Sequence, residues 1–240
     1  RLVGASGSTP AMWRRALEHT PRHHRSGHLG FYAVFAHHPR ARTHPDVWDA
    51  LLHSGRVGHL EKALEGQPDE RVEQARQRLY EMIEGPGSGR LGRRGEVAFQ
   101  AAQLVLDRFV TDEDEARRFY RATREEPRWP RALLRRDVTT TDLAAEIASD
   151  THSPDVRKAV LQEGRFRRAP AVREALSGTR DPDLLRLLLR EADGAAFRRY
   201  YHRLREKDPE GARAAFLDAD PDQLDGLDTE TIVALLSSDD

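Results

Sequence analysis

Proline spacing is the feature that most constrains the fold of this chain. Pro170 and Pro182 stand twelve residues apart, as do Pro209 and Pro221, and each member of the second pair follows its counterpart by 39. A fainter copy precedes them, with Pro130 forty residues before Pro170 and Asp142 in the place of the second proline. The same step, a proline followed by an acidic or apolar run, recurs at Thr9-Pro10, His44-Pro45, Gln67-Pro68, Ser153-Pro154, Ala169-Pro170, Asp181-Pro182, Asp208-Pro209 and Asp220-Pro221. Proline is tolerated at the first helical position because its missing N–H would find no intrahelical acceptor there, and a preceding Ser, Thr or Asp can cap the free amides. Each step therefore predicts a helix start, and the segments that follow, about 10–15 residues long, predict many short helices. Strand signals are poor: alternation of period two is never sustained, and hairpin punctuation is confined to Asp193-Gly194 and Asp225-Gly226. The expected fold class is all-α.

A third helix is expected after each proline pair. Arg117-Arg118-Phe119-Tyr120-Arg121-Ala122-Thr123-Arg124-Glu125 matches Arg198-Arg199-Tyr200-Tyr201-His202-Arg203-Leu204-Arg205-Glu206 at an offset of 81, and Arg157-Lys158-Ala159-Val160 falls between them. Units are read near 91–128, 129–168, 169–207 and 208–240. A period near 40 built from two or three short helices resembles the HEAT and armadillo repeats, whose units bury one apolar face by stacking on their neighbours. Ser153-Pro154-Asp155-Val156-Arg157-Lys158-Ala159-Val160-Leu161 resembles the Asp-x-Val-Arg-x-x-Ala core of HEAT families. The resemblance covers about residues 91–240 and implies a right-handed α-solenoid. Residues 1–84 are read as an irregular helical region in which His44-Pro45-Asp46-Val47-Trp48 echoes 153–157. The stretch 85–95 is read as a glycine-rich basic linker unable to form a stable helix interior. Residues 96–240 form the repeat region, with an acidic last unit from 208.

Composition agrees with thin layers. The chain has 240 residues, 38% hydrophobic and 33% charged, so it carries much polar surface for its apolar content. It has no cysteine, which excludes disulfides, thiolate metal sites and a cysteine nucleophile and leaves the compartment open, with a cytoplasmic setting favoured. No apolar run approaches the ~18 residues needed to span a bilayer, so no membrane insertion is expected. An N-terminus without methionine and a C-terminal Ser237-Ser238-Asp239-Asp240 directly after an apolar stretch read as an interval of a longer array.

Net charge is −1, but residues 208–240 carry ten acids against Arg213 alone, a balance of −9, which leaves +8 for residues 1–207. Phe197, Tyr200, Tyr201 and Leu204, like Ala116, Phe119, Tyr120 and Thr123, fall at i, i+3, i+4 and i+7 and are expected to face the core. The basic residues then face outward. Stacking would align Arg117, Arg121 and Arg124 with Arg157 and Lys158 and with Arg198, His202 and Arg205 in a basic stripe. Glu113 and Asp114 precede Arg117 and Arg118 with favourable i,i+4 spacing and offset the first level locally. No such acids precede Arg198, Arg199, Arg203 and Arg205, so these residues, with Arg165, Arg167 and Arg168, are the partner-binding candidates. The acidic segment from 208 could compete for them within the molecule. Leu184, Leu185, Leu187, Leu188 and Leu189 read as an inner helix, and Trp13, Trp48 and Trp129 as structural anchors.

Nine of the eleven histidines lie between His19 and His59. His19 with His23, and His24 with His28, have the four-residue spacing by which two imidazoles can hold a metal, although Pro21, Gly27 and Gly30 break the helix that this needs. The glycine stretch lacks the Gly-Lys-Ser/Thr ending of a phosphate loop. No catalytic constellation assembles from spacing, and no cofactor is called for. The expected function is binding: a scaffold or adaptor presenting a helical-repeat surface to another protein. The alternatives are nucleic-acid binding through the arginine stripe, in the manner of HEAT-like DNA-repair glycosylases, and a metal- or pH-responsive regulator built on the histidine-rich segment 19–59.

Overall fold

A computed structural model describes residues 9–18, 29–85, 93–224 and 229–236. Among them every regular element is a helix, as the proline punctuation requires, and the chain divides into two compact units. Residues 1–111 and 121–125 form the first, and 112–120 and 126–240 the second.

The first unit contains α1 (Pro10–Glu18), α2 (Leu29–His37), α3 (Pro39–Arg42), α4 (Pro45–Leu52), α5 (Val57–Ala63), α6 (Asp69–Glu84) and α7 (Arg93–Arg108). α1 packs on α4, α2 on α4 and α5, and α7 on α5 and α6. Pro10, Pro39 and Pro45 each begin a helix, whereas Pro68 occupies the capping position before Asp69. Trp13, Trp48, Leu51, Leu60 and Leu79 are buried. The indole Nε1 of Trp48 donates to Oε1 of the exposed Gln74 at 3.0 Å, so the one polar atom of that buried side chain is satisfied at the edge of the core. Gly66, at φ +70°, takes the left-handed conformation of the turn into α6, which a residue with a Cβ adopts only with strain.

The boundary between units falls at 111/112, later than the glycine-rich stretch. Residues 86–92 lie outside the described part, but Arg93–Gly95 form the first turn of α7 and are not linker. α7 joins the first unit because its buried residues, among them Ala101, Ala102 and Val105, pack on that unit's helices.

α8 (Glu113–Thr123) spans the division. The second unit continues with α9 (Arg128–Leu134), α10 (Thr141–Asp150), α11 (Pro154–Gln162), α12 (Gly164–Arg167), α13 (Pro170–Leu176), α14 (Pro182–Leu189), α15 (Gly194–Lys207), α16 (Pro209–Leu217), α17 (Pro221–Leu224) and α18 (Thr229–Leu236). Pro154, Pro170, Pro182, Pro209 and Pro221 each stand first in their helix. Asp181 caps α14 by accepting from the amides of Asp183 and Leu184, and Asp208 caps α16 by accepting from Gly211. Ser153 forms no such bond, so the proline alone marks that start.

Burial recurs at an interval of 40 or 41 residues. Leu143, Ala144, Ile147 and Ala148 of α10 are buried, and so are Leu184, Leu185, Leu188 and Leu189, each 41 residues later in α14. Val156 and Val160 of α11 correspond in the same way to Phe197 and Tyr201 of α15. Val172 and Leu176 of α13 correspond at 40 to Ala212 and Phe216 of α16. Packing partners recur with them: α10 lies on α13 and α14 on α16, while α11 lies on α14 and α15 on α17. Both aromatic sets expected to face the core are buried. Asp193-Gly194, which reads as hairpin punctuation, instead starts α15, with Gly194 at φ +38°.

Candidate interaction surface

A helix end leaves backbone carbonyls without intrahelical donors, and a nearby guanidinium can supply them. This chain uses its arginines in that way repeatedly. Arg165 donates to the carbonyls of Leu134 and Arg136 at the C-terminus of α9, and Arg203 of α15 donates to that of Ser177 at the C-terminus of α13. The two arginines are 38 residues apart in sequence, and each caps a different helix of the second unit. Arg157 donates to Ala148 O at 3.2 Å and so serves the end of α10. Gln223 Nε2 serves the end of α14 through the carbonyls of Leu189, Arg190 and Ala192.

Other candidates are neutralised. Arg117 binds Glu113 at 2.6 Å, in the anticipated i,i+4 pair, and also Glu146 at 3.4 Å. Lys158 pairs with Asp183 at 3.3 Å. Arg167 and Arg168 converge on the two carboxylate oxygens of Glu191, at 3.2 and 2.7 Å. Burial would raise the Glu191 carboxyl, but hydrogen bonds from Arg168 and Arg167 outweigh it and hold the group below its ordinary value. Arg121 and Arg124 are exposed and belong to the first unit. Within the second unit the basic residues are therefore not equivalent: Arg117, Lys158, Arg167 and Arg168 meet carboxylates and Arg157 meets a carbonyl, whereas others on α13 and α15 do not pair with an acid among the described residues.

There, Arg199 is exposed, with its guanidinium 5.4 Å from the Tyr200 ring, and no carboxylate among the described residues lies within ion-pair distance. Arg203, one turn further along α15, reaches Ser177, three residues before the exposed Arg180, which likewise has no ion-pair partner among the described residues. Arg173 donates to the carbonyl of Arg168 and extends the same side to the start of α13. Residues 151–207 hold fourteen basic side chains against eight acids, a balance of +6. Arg180 and Arg173 escape a sequence reading centred on the third helix, because only the fold brings the turn after α13 beside α15. Arg198 and Arg205 are half-buried on another side of α15, where Arg205 acts electrostatically on Tyr201.

The expected competition from the acidic segment is narrow in the described residues. Asp208 pairs with Arg186, and its carboxyl is held below its ordinary value first by the Gly211 amide and then by that arginine. A Cβ at Gly211 would overlap the Asp208 carboxylate, which would have to shift from its capping position to admit one.

His19, His23, His24 and His28 lie outside the described residues. Among the described residues no group of three or more metal-ligating side chains is arranged to hold an ion. His38 Nδ1 accepts from the Ala41 amide and caps α3, and His53 Nδ1 lies 3.3 Å from Asp49. His59 stacks on Tyr32 with its Nδ1 buried and unpartnered, and burial first, then Arg56 and His37, lower its pKa. The unfolded chain takes up this proton near the ordinary value, about 6.5, while the folded chain does so only at lower pH. Stability is thus lost as pH falls through the ordinary value, and the loss is complete below the folded one. The Tm of wild type is expected to drop between pH ~7 and ~5 by more than that of His59→Phe, which keeps the ring on Tyr32. Equal drops would show that His59 is not responsible.

No helix among the described residues is long and apolar enough to cross a membrane. No family model, curated protein or solved structure matches this chain.

Proposed function

We propose that the second unit is a HEAT/armadillo-like stack of three-helix repeats that serves as a protein-binding scaffold or adaptor, and that it takes an acidic protein surface on the side marked by Arg180, Arg199 and Arg203. The 40–41-residue recurrence of buried positions and of packing partners supports the repeat reading. The observation that carries the binding reading is the pair Arg180 and Arg199, exposed and without a carboxylate among the described residues, in a segment of balance +6. Unpaired guanidinium groups cost no ion pair to engage, and their planar forks suit carboxylates.

A polyanionic backbone fits this surface less well. Glu163, Glu174 and Glu191 are interspersed among the arginines and interrupt the positive field that a nucleic-acid backbone needs. The aromatic residues that would stack on splayed bases, Phe166, Phe197, Tyr200 and Tyr201, are buried.

The test is titration of the intact chain into fluorescent poly-glutamate and into duplex DNA at matched ionic strength. Wild type is expected to bind poly-glutamate in a salt-dependent manner, and Arg180→Glu/Arg199→Glu to bind it about tenfold or more weakly with unchanged circular dichroism. Arg203 is a poor choice for reversal because it caps α13. Tighter binding to DNA than to poly-glutamate, abolished by the same double reversal, would transfer the surface to the nucleic-acid reading. Poly-glutamate binding that is indifferent to both salt and the reversal would sink the assignment.

A further inference from the structure

We infer that the acidic surface received by Arg180 and Arg199 is the acidic segment beginning at Asp208 of a second copy of this chain, docked head to tail; this rests on the protein-binding reading above. The two halves of the contact are already present in one sequence. Residues 151–207 have a balance of +6 and residues 208–240 one of −9, while the whole chain, at −1, offers no net repulsion between copies near neutral pH.

On both surfaces exposed charges have no ion-pair partner among the described residues of a single copy. Glu210 and Asp218 are exposed at the two ends of α16, with no cation among the described residues at ion-pair distance. Beside Asp218, Leu217 is 64% exposed, an apolar side chain at the end of a helix that also carries the exposed Arg213. The arrangement matches an interface with an apolar anchor and a charged rim. On the receiving side, the aliphatic stems of Arg180 and Arg199 supply apolar area beneath their charged ends.

Packing already engages the start of the acidic segment within one copy. Phe216, buried, sets its ring edge-on to Tyr201 at 6.0 Å, Asp208 pairs with Arg186, and Gln223 holds the end of α14. These contacts hold α16 on α15, and in this packing neither Glu210 nor Asp218 lies at ion-pair distance from Arg180 or Arg199, so the pairing inferred here is one between copies. A contact between two different patches on identical chains is heterologous, and it propagates unless the rotation closes a ring.

The experiment is sedimentation velocity on the intact chain over a range of concentrations at low and high salt. Wild type is expected to rise in average mass with concentration at low salt and to return to 27.2 kDa at high salt. Arg180→Glu/Arg199→Glu and Leu217→Lys/Asp218→Lys change exposed side chains, and circular dichroism confirms that each is folded. Each variant alone should remain at 27.2 kDa, since it keeps only one of the two patches. Their equimolar mixture should give a complex of one copy of each that grows no further, because the outer patches are both disabled. A wild type that stays monomeric throughout, association that persists in either variant, or a mixture that fails to pair overturns the head-to-tail contact. Poly-glutamate binding by that same wild type would leave the acidic-partner reading standing, so the two failures are separable.

Discussion

Replacing Phe197 by alanine lowers the stability of the second unit by about 3–5 kcal/mol, the range for deleting a fully buried aromatic ring. Phe197 is 1% exposed and lies nearly parallel to Tyr201, with ring centroids 6.3 Å apart. α15 packs on α14, α16 and α17, so the cavity opens where several helices meet and cannot close by moving one of them. Urea denaturation followed by far-UV circular dichroism measures the loss. A change below about 1 kcal/mol would mean that the site collapses without cost or that α15 does not hold the unit together. Arg199→Ala on the outward side of the same helix provides the contrast, with an expected change within about 0.5 kcal/mol.

The second large effect belongs to the first unit. Trp48→Ala is expected to destabilise it by about 3–5 kcal/mol, since the indole is 4% exposed and Arg71 sits over its ring at 5.6 Å. Truncation also leaves Gln74 without the indole donor. Trp48→Phe separates the contributions: it keeps much of the ring volume and removes the hydrogen bond, and about 1–2 kcal/mol is expected. Equal losses in the two variants would show that the hydrogen bond, and not burial, dominates at this position.

The helix starts were legible because their signals are local. A proline fixes its own φ and lacks its own N–H, so Pro154, Pro170, Pro182, Pro209 and Pro221 mark helices whatever surrounds them. The aromatic sets of α8 and α15 and the leucines of α14 were legible for the same reason, since helical periodicity is a property of one segment. Arginine roles were not. Periodicity places Arg165, Arg167 and Arg203 outside the apolar stripe of their own segments, but whether each meets water, a carboxylate or a helix end depends on residues 6 to 31 positions away, as the bonds to Leu134, Leu161 and Ser177 show. The same holds for Glu191, which reads as an ordinary surface acid and neutralises Arg167 and Arg168 across 24 and 23 residues.

Proline punctuation and helical periodicity determined that this chain folds as short helices, where eight of the eighteen described ones begin, and which face of the longer ones is apolar. Tertiary structure decided the rest: that α7 joins the first unit, that Arg117, Arg157 and Lys158 are offset or engaged, and that Arg180 and Arg199 are left exposed without a carboxylate among the described residues. The physical reason is range. Helix initiation and amphipathicity are settled within a few residues by backbone chemistry and periodicity, whereas a guanidinium is claimed by whichever carbonyl or carboxylate the packing of distant helices brings within three ångströms or so.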